Sequence, residues 1–240
     1  MAFQNTYEDD AYAAAYAQLE YPGTYYLAFR DLPQLLRPVS TGATALDFGC
    51  GTGRSTRFLR GLGYDTIGVD ISAQMIEQAH SLDPQGDYRL LEAEGLGGFA
   101  DASFDAVLCA FTFDNIPTPE RKTALFRELA RLTKPAGRII NLVSSPEIYW
   151  HEWASFSTKD FPENRQARSG ERVRIIVTAL SDHRPVEDVI CFEPEYRAIY
   201  AEAGLRVTAL HRPLGREDEP FEWVNEKRLP PWTIYVLATH

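Results

Sequence analysis

The sequence predicts an α/β protein, a mostly parallel sheet with helices on both faces. From residue 43 onward, short apolar runs alternate with helix-period segments, the pattern of parallel strands joined by crossover helices. A glycine cluster ends the first of those runs and opens a helix. The length of 240 residues suits one α/β unit with an elaboration better than two domains.

Each element has its own signal. Residues 43–48 read as the first strand, closed by Gly49, Gly51 and Gly53. A helix follows through Phe58 and Leu59, stopped by Gly61 or Gly63. Residues 66–70 form a second strand, and Ser72 can cap a helix whose Met75, Ile76 and Ala79 share one face. Residues 88–91 and 104–111 read as strands three and four. Thr118 before Pro119 starts a helix with Leu125, Leu129 and Leu132 at helical spacing; Pro135 and Gly137 end it before a fifth strand at 138–143. Residues 144–170 are irregular and aromatic. Residues 172–180 and 186–192 predict a hairpin, 194–203 a helix closed by Gly204, and 205–210 and 233–237 the last strands. The acidic stretch from Glu217 to Glu219 reads as a solvated loop.

Composition narrows the function. With 24 Lys and Arg against 34 Asp and Glu, the net charge of -10 repels phosphate backbones and argues against nucleic acid as a partner. The first 20 residues lack a basic stretch followed by an apolar core, and no run of about eighteen apolar residues occurs. A cytoplasmic protein with no membrane span is therefore expected. Cys50, Cys109 and Cys191 are far apart and odd in number, which fits small core residues in a reducing compartment. The 12% aromatic content is the compositional feature that needs an explanation.

The segment ALDFGCGTGRSTRFLRGLGYDTIGVDIS carries the chemistry. A glycine-rich turn between strand and helix lets backbone N–H groups approach a ligand, and an acid ending the next strand, Asp70, is placed for ribose hydroxyls. A dinucleotide fingerprint would need glycine at position 54, where Arg54 stands. The spacing is instead G-x-G-x-G, preceded by Asp47, and a carboxylate there suits a ligand carrying positive charge better than a diphosphate.

These residues resemble the class I S-adenosylmethionine-dependent methyltransferases. The resemblance covers most of residues 43–145: Asp47 to Gly53, Gly68 to Ser72 with Met75, Glu92 to Glu94 with Leu96, Ser103 to Val107, and Glu128 to Gly137. It implies a Rossmann-like, mostly parallel seven-stranded sheet with an N-terminal helical lid and, after strand five, an insertion with a β-hairpin. It further implies one domain divided into a lid segment (1–40), a cofactor core (41–145), a substrate-side insertion (146–192) and a C-terminal part completing the sheet (193–240). S-adenosylmethionine is the implied cofactor and S-adenosylhomocysteine its product. Gly49, Gly51 and Gly53, with Cys50 between them, would line the methionine and ribose portion, with Asp47 near the amino group. Asp70 would take the ribose hydroxyls; Ile71 would pack on the adenine, with Met75 in the helix behind. Glu92, where the family more often has Asp, would accept from the adenine amine; Ala93 and Phe111 would offer backbone contacts, and Tyr16 would cover the methionine end. Ala136, and Gly97 with Gly98, depart from the family pattern in loops away from the cofactor.

Methyl transfer from a sulfonium needs alignment more than a particular catalytic group, so the reaction dictates few residues. The two segments able to cover the strand ends are rich in rings. The first 29 residues hold Tyr21 and Tyr25 among eight aromatics, and the insertion holds Tyr149, Trp150 and Trp153. These five are the candidate substrate-binding residues; packing of the cap onto the sheet is the competing reading. His151, Glu152 and His183 are candidate bases. Asp114 lies where metal-dependent members hold a ligand, yet residues 141–145 supply no second carboxylate, so no metal is expected. The expected activity is methylation of an O, N or C atom of a small apolar or aromatic metabolite, by a monomer or homodimer. A non-catalytic cofactor-binding module and a protein or tRNA methyltransferase are the alternatives.

Overall fold

The computed structural model describes residues 21–36, 40–91 and 95–239. Secondary structure is numbered among these. It comprises α1 (Thr24–Arg30), α2 (Leu32–Leu35), β1 (Thr44–Phe48), α3 (Arg54–Gly61), β2 (Asp65–Asp70), α4 (Ala73–Leu82), β3 (Asp87–Leu90), β4 (Phe104–Ala110), α5 (Pro119–Leu132), β5 (Thr133–Ser144), β6 (Phe156–Ser157), β7 (Arg172–Val177), β8 (Val186–Val189), α6 (Glu193–Glu202), β9 (Leu205–His211) and β10 (Trp232–Thr239).

Seven strands make one sheet in the order β3-β2-β1-β4-β5-β10-β9. The pairs from β3 to β5 are parallel, while β10 runs antiparallel to both β5 and β9. The order reverses at β1, whose neighbours are β2 and β4, and the crevice for a ligand opens there, beyond the strand ends. Strand residues alternate between two cores. Ala106, Leu108, Ile140 and Leu142 join α1, through Leu27 and Ala28, on one face. Val107, Cys109, Ile139 and Val143 join α5 and α6, through Phe126, Leu129 and Ile199, on the other. The second core absorbs much of the aromatic content: Phe113 stacks on Phe126 at 3.9 Å, and Tyr200 meets Phe126 and Tyr235 edge-on. Asn141, inside that face, donates to the Tyr200 hydroxyl at 2.7 Å, while its Oδ1 is buried without a hydrogen-bond partner.

Local signals set the helix starts. Ser72 Oγ accepts from Met75 N–H at 3.3 Å, and Thr118 Oγ1 from Arg121 N–H at the same distance. Three expectations change. Strand β5 begins at Thr133, which already pairs with Phe104, so Pro135 and Gly137 lie within an irregular strand start rather than before it. The hairpin strands β7 and β8 are shorter than expected, and β6 joins them in a three-stranded antiparallel sheet. Glu219 is not solvated: its carboxylate accepts from Arg30 at 2.6 Å and from Arg216 N–H at 2.7 Å. The three cysteines are buried and free. Among the described residues no helix is long and apolar enough to cross a membrane.

The small sheet and α1 sit together over the ends of β4 and β5. Their junction is Glu226, fully buried, from the β9–β10 connection. Its Oε1 accepts from Thr24 Oγ1 and Ala154 N–H, both at 2.7 Å, and its Oε2 from the N–H groups of Val224 and Asn225. Ser155 Oγ caps α1 by accepting from Thr24 N–H, and Trp232 Nε1 donates to Thr24 O.

Candidate active site

The glycine loop is held from below and open above. Gly49 and Cys50 N–H both donate to Val69 O, tying the loop to β2. Gly51 has φ 52°, and a Cβ there would meet nothing closer than Met75 Sδ at 4.0 Å, so the backbone has free space beside it. A Cβ at Gly49 would lie 2.4 Å from Thr112, whose Oγ1 donates to Phe48 O and joins the ends of β1 and β4. Asp70 closes the loop from β2: its Oδ2 accepts from Gly51 N–H at 2.8 Å and its Oδ1 from Ser72 N–H at 2.9 Å. Beside it Ile71 is 61% exposed, an apolar side chain left in solvent at the strand end.

The electrostatics around the loop are acidic. Asp47 is fully buried under it; Oδ2 accepts from Ser55 Oγ (2.7 Å) and Thr56 Oγ1 (2.6 Å), while Oδ1 is buried with no hydrogen-bond partner. Burial pushes its carboxyl up to about 6, with the negative charge of Asp70 adding to the rise. Burial likewise raises Asp70. Arg54, at the start of α3, is buried with its guanidinium 4.9 Å from the Tyr25 ring and 5.4 Å from Phe29, which fastens α1 over the loop.

A narrow cavity of about 30 Å³ lies next to this, beyond β4 and β5. Its rings are Tyr25, Phe111, Tyr149, Phe156 and Trp232, and its polar groups are Asp114, Asn115, Ser144 and Asp188. Phe111 connects cavity and loop. It has φ 64°, a left-handed conformation costing about 1–2 kcal/mol in a residue with a Cβ, and its ring lies 4.8 Å from Trp232 and 5.9 Å from Tyr25. Asp114 Oδ2 accepts from Ser144 N–H at 3.0 Å, and Asp188 Oδ2 from the Tyr149 hydroxyl at 3.0 Å. A larger cavity of about 240 Å³ opens on the other side of Ser144, between Trp150, Phe192, Glu147 and Arg212. It does not include the strand-four end that borders the glycine loop.

Residues 46–141 match the family model described as a methyltransferase domain. Over that segment, two fifths of the chain, it is similar to the methyltransferases. The ubiquinone biosynthesis O-methyltransferase of Xanthomonas oryzae pv. oryzae (strain PXO99A) is 36% identical over 102 residues, 41% of each chain. The demethylmenaquinone methyltransferase of Renibacterium salmoninarum is 34% identical over 99 residues, 41% of this chain and 40% of that one. The chain thus spans about two fifths of the curated relatives it matches. Two solved structures share the fold across nearly the whole chain. The CcbJ methyltransferase of Streptomyces caelestis has a TM-score of 0.66 at 17% identity, covering 98% of both chains. An S-adenosylmethionine-dependent methyltransferase of Clostridium acetobutylicum has a TM-score of 0.61 at 14% identity, covering 96% of this chain and 98% of that one.

Residues around the glycine loop fit S-adenosylmethionine. S-adenosylmethionine carries a sulfonium and an ammonium, and the loop sits over two carboxylates, one with an orphaned buried oxygen at Asp47 Oδ1. The exposed Ile71 offers an apolar face for a flat base, and the open side of Gly51 admits close approach.

The expected site residues fall into three groups. Asp47, Gly49, Cys50, Gly51, Gly53, Asp70, Ile71 and Phe111 gather around the loop, with Met75 buried behind it. Tyr16, Glu92 and Ala93 lie outside the described residues. Of the substrate candidates, Tyr25 and Tyr149 line the cavity. Tyr21 instead packs edge-on against Phe29 at 4.8 Å, and Trp153 is buried with its Nε1 donating to Ile148 O. Trp150 donates to Asn164 O and borders the larger cavity. The three candidate bases line neither cavity. Glu152 closes its own loop by accepting from Thr158 N–H at 2.6 Å; His151 packs against Trp153, and burial lowers its pKa. His183 is exposed in the β7–β8 turn. The carboxylates that do line the ring-walled cavity are Asp114 and Asp188. Asp188 had a signal in the sequence, since in a strand it faces the same way as the core residue Val186. Glu226 had none, and Arg54 showed only as the residue that breaks the dinucleotide spacing.

Proposed function

We propose that this protein transfers the methyl group of S-adenosylmethionine to a nucleophilic atom of a small molecule with an apolar or aromatic body. The observation that carries this reading is the ring-walled cavity at the ends of β4 and β5, which meets the cofactor loop at Phe111 and is covered by Tyr25 of α1. An enclosed cleft of this kind suits a small acceptor rather than a tRNA or a folded protein. The names of the relatives from Xanthomonas and Renibacterium speak of quinone metabolism in those proteins, which is compatible with a flat apolar body here.

When bound, S-adenosylmethionine supplies an electrophilic methyl on a sulfonium whose leaving group is already good. The glycine loop and Asp70 would hold it, with Ile71 against its base and Asp47 supplying negative charge from below. The chain's work is then alignment: the walls of Tyr25, Phe111, Phe156 and Trp232 exclude water and bring the acceptor atom to about 3 Å from the methyl. With only about 30 Å³ free, the acceptor enters by displacing a ring, and Tyr25 on α1 is the one carried by the covering segment.

Asp70→Ala removes the acceptor of Gly51 and Ser72 N–H and is expected to abolish S-adenosylmethionine binding in titration calorimetry. Unchanged affinity would sink the site assignment. The narrowness of the cavity favours one second reading, a cofactor-binding module without transfer. A metabolite extract incubated with methyl-labelled S-adenosylmethionine separates the two: labelled product supports the enzyme, and bound cofactor without product supports the module.

A further inference from the structure

Resting on the methyl-transfer reading above, we propose that the acceptor is an amine that arrives as an ammonium ion. The Asp114–Asp188 carboxylates would hold it inside the ring-walled cavity and take the proton its nitrogen must lose before attack.

Charge, hydrogen bonding and ring geometry point the same way. Asp114 enters from the turn after β4 and Asp188 from β8, each at most 8% exposed. The one buried cation near them among the described residues is Lys122 of α5. Its Nζ is occupied elsewhere, donating to Phe113 O at 2.6 Å and to the Tyr196 hydroxyl at 3.4 Å. Beyond Lys122 lie Glu195 and Cys191 of the α6 side, while Glu187 flanks Asp188 on β8 and Tyr149 donates to it. Two buried carboxylates therefore face one lysine, and an uncompensated buried charge demands either a proton or a cation. Burial raises both carboxyls, and the charge of Asp114 raises Asp188 further, so the pair favours holding a proton that an incoming ammonium would replace.

The cavity also holds an unanswered acceptor. Asn115 lines it, with Nδ2 spent on Phe111 O, and its Oδ1 is buried without a hydrogen-bond partner. An ammonium brings three N–H donors to these acceptors, whereas an alcohol brings one. Around them Tyr25, Phe111, Phe156 and Trp232 pack with centroids 4.8–5.9 Å apart, and aromatic faces of this kind attract a cation. A phenol is disfavoured by the same groups, because two neighbouring carboxylates oppose the negative charge its oxygen must develop.

The step balances. The ammonium passes one proton to the carboxylate pair; the freed nitrogen lone pair forms the N–C bond as the C–S bond breaks, its electron pair staying on sulfur. The product is an N-methylammonium, and the pair later returns its proton to solvent.

The test uses the full chain saturated with S-adenosylhomocysteine, titrated in a calorimeter with phenethylamine and benzylamine and with the alcohols of the same shape, 2-phenylethanol and benzyl alcohol. Each amine is expected to bind about tenfold more tightly than its alcohol, the effect of one buried ion contact. Its binding should release a proton, read from the difference between two buffers of unlike ionisation heat. In Asp188→Asn and Asp114→Asn the preference should vanish while S-adenosylhomocysteine still binds. Equal or reversed preference in wild type, no proton release, or a preference surviving both substitutions overturns the proposal. If either variant fails to fold, the wild-type preference and proton release decide it alone. Failure of S-adenosylhomocysteine to bind wild type overturns the methyl-transfer reading instead, a distinct result.

Discussion

Asp47 and Asp70 do different work although both border the glycine loop. Asp70 spends one oxygen on each of two backbone N–H groups and so shapes the loop. Asp47 satisfies Ser55 and Thr56 with one oxygen and keeps the other unpaired in the interior. An ionised, half-satisfied carboxylate costs the fold stability. With its pKa raised to about 6, the stability it contributes is fully present below the unfolded value near 3.8 and is lost as pH rises through about 6. Asp47→Asn should therefore lessen the loss of stability between pH 5 and pH 8 by about 1 kcal/mol, measured by urea unfolding at both values. Identical pH dependence in wild type and variant would show that the carboxyl is not raised. Both acids stand out in the sequence because they end strands beside glycines. Arg54 was visible only as a residue that spoils a dinucleotide fingerprint, since its partners Tyr25 and Phe29 are brought to it by α1 and not by spacing.

At the scale of elements, α1 is both cover and core. Tyr25 closes the cavity while Leu27 and Ala28, wholly buried, pack on β4 and β5. Its position depends on Glu226, which collects one hydroxyl and three backbone N–H donors from three separate segments. Glu226→Ala strands all four and should cost about 3–5 kcal/mol, seen as a drop in the urea midpoint, with Glu226→Gln costing less. A loss below about 1 kcal/mol would mean that water replaces the carboxylate there. The helices and parallel strands were legible in the sequence because caps, glycines and period are local. β6 was not, having two residues and no pattern, and neither was the early start of β5, where pairing with Phe104 overrides the Pro135 signal.

Taken whole, the molecule carries part of its acidic excess inward. Asp31, Asp47, Asp114, Asp188 and Glu226 are buried, against Arg54 and Lys122 as the buried bases among the described residues. The net charge of -10 could be read as an argument about partners at the surface, but its distribution emerges only when the chain closes. Burial raises Asp47, Asp70, Asp114 and Asp188, so their contribution favours the folded state at low pH and fades as pH rises, for Asp47 and Asp114 through about 6 and for Asp188 through about 8. Asp31 opposes this only in strong acid, since Arg30 holds its carboxyl down at about 2. The ligand-free protein should melt at a higher temperature near pH 5.5 than near pH 8, and S-adenosylmethionine should narrow the gap by bringing positive charge to the loop. A melting temperature that rises steadily from pH 5.5 to pH 8 would contradict this. The mostly parallel seven-stranded sheet was legible through the resemblance to the methyltransferases, whereas the acceptor end was not, because Tyr25, Asp114, Asp188 and Trp232 come from four distant stretches.

The convergence at Glu226 also sets how the cavity opens. Thr24, Ala154, Val224 and Asn225 share one carboxylate, so none can swing free without releasing the others. The helix, the insertion and the β9–β10 connection should then exchange with solvent as a single cooperative unit. The amide protons of Ala154, Val224 and Asn225 would share one opening free energy in hydrogen exchange, below that of the sheet, and binding of an acceptor would slow all three together.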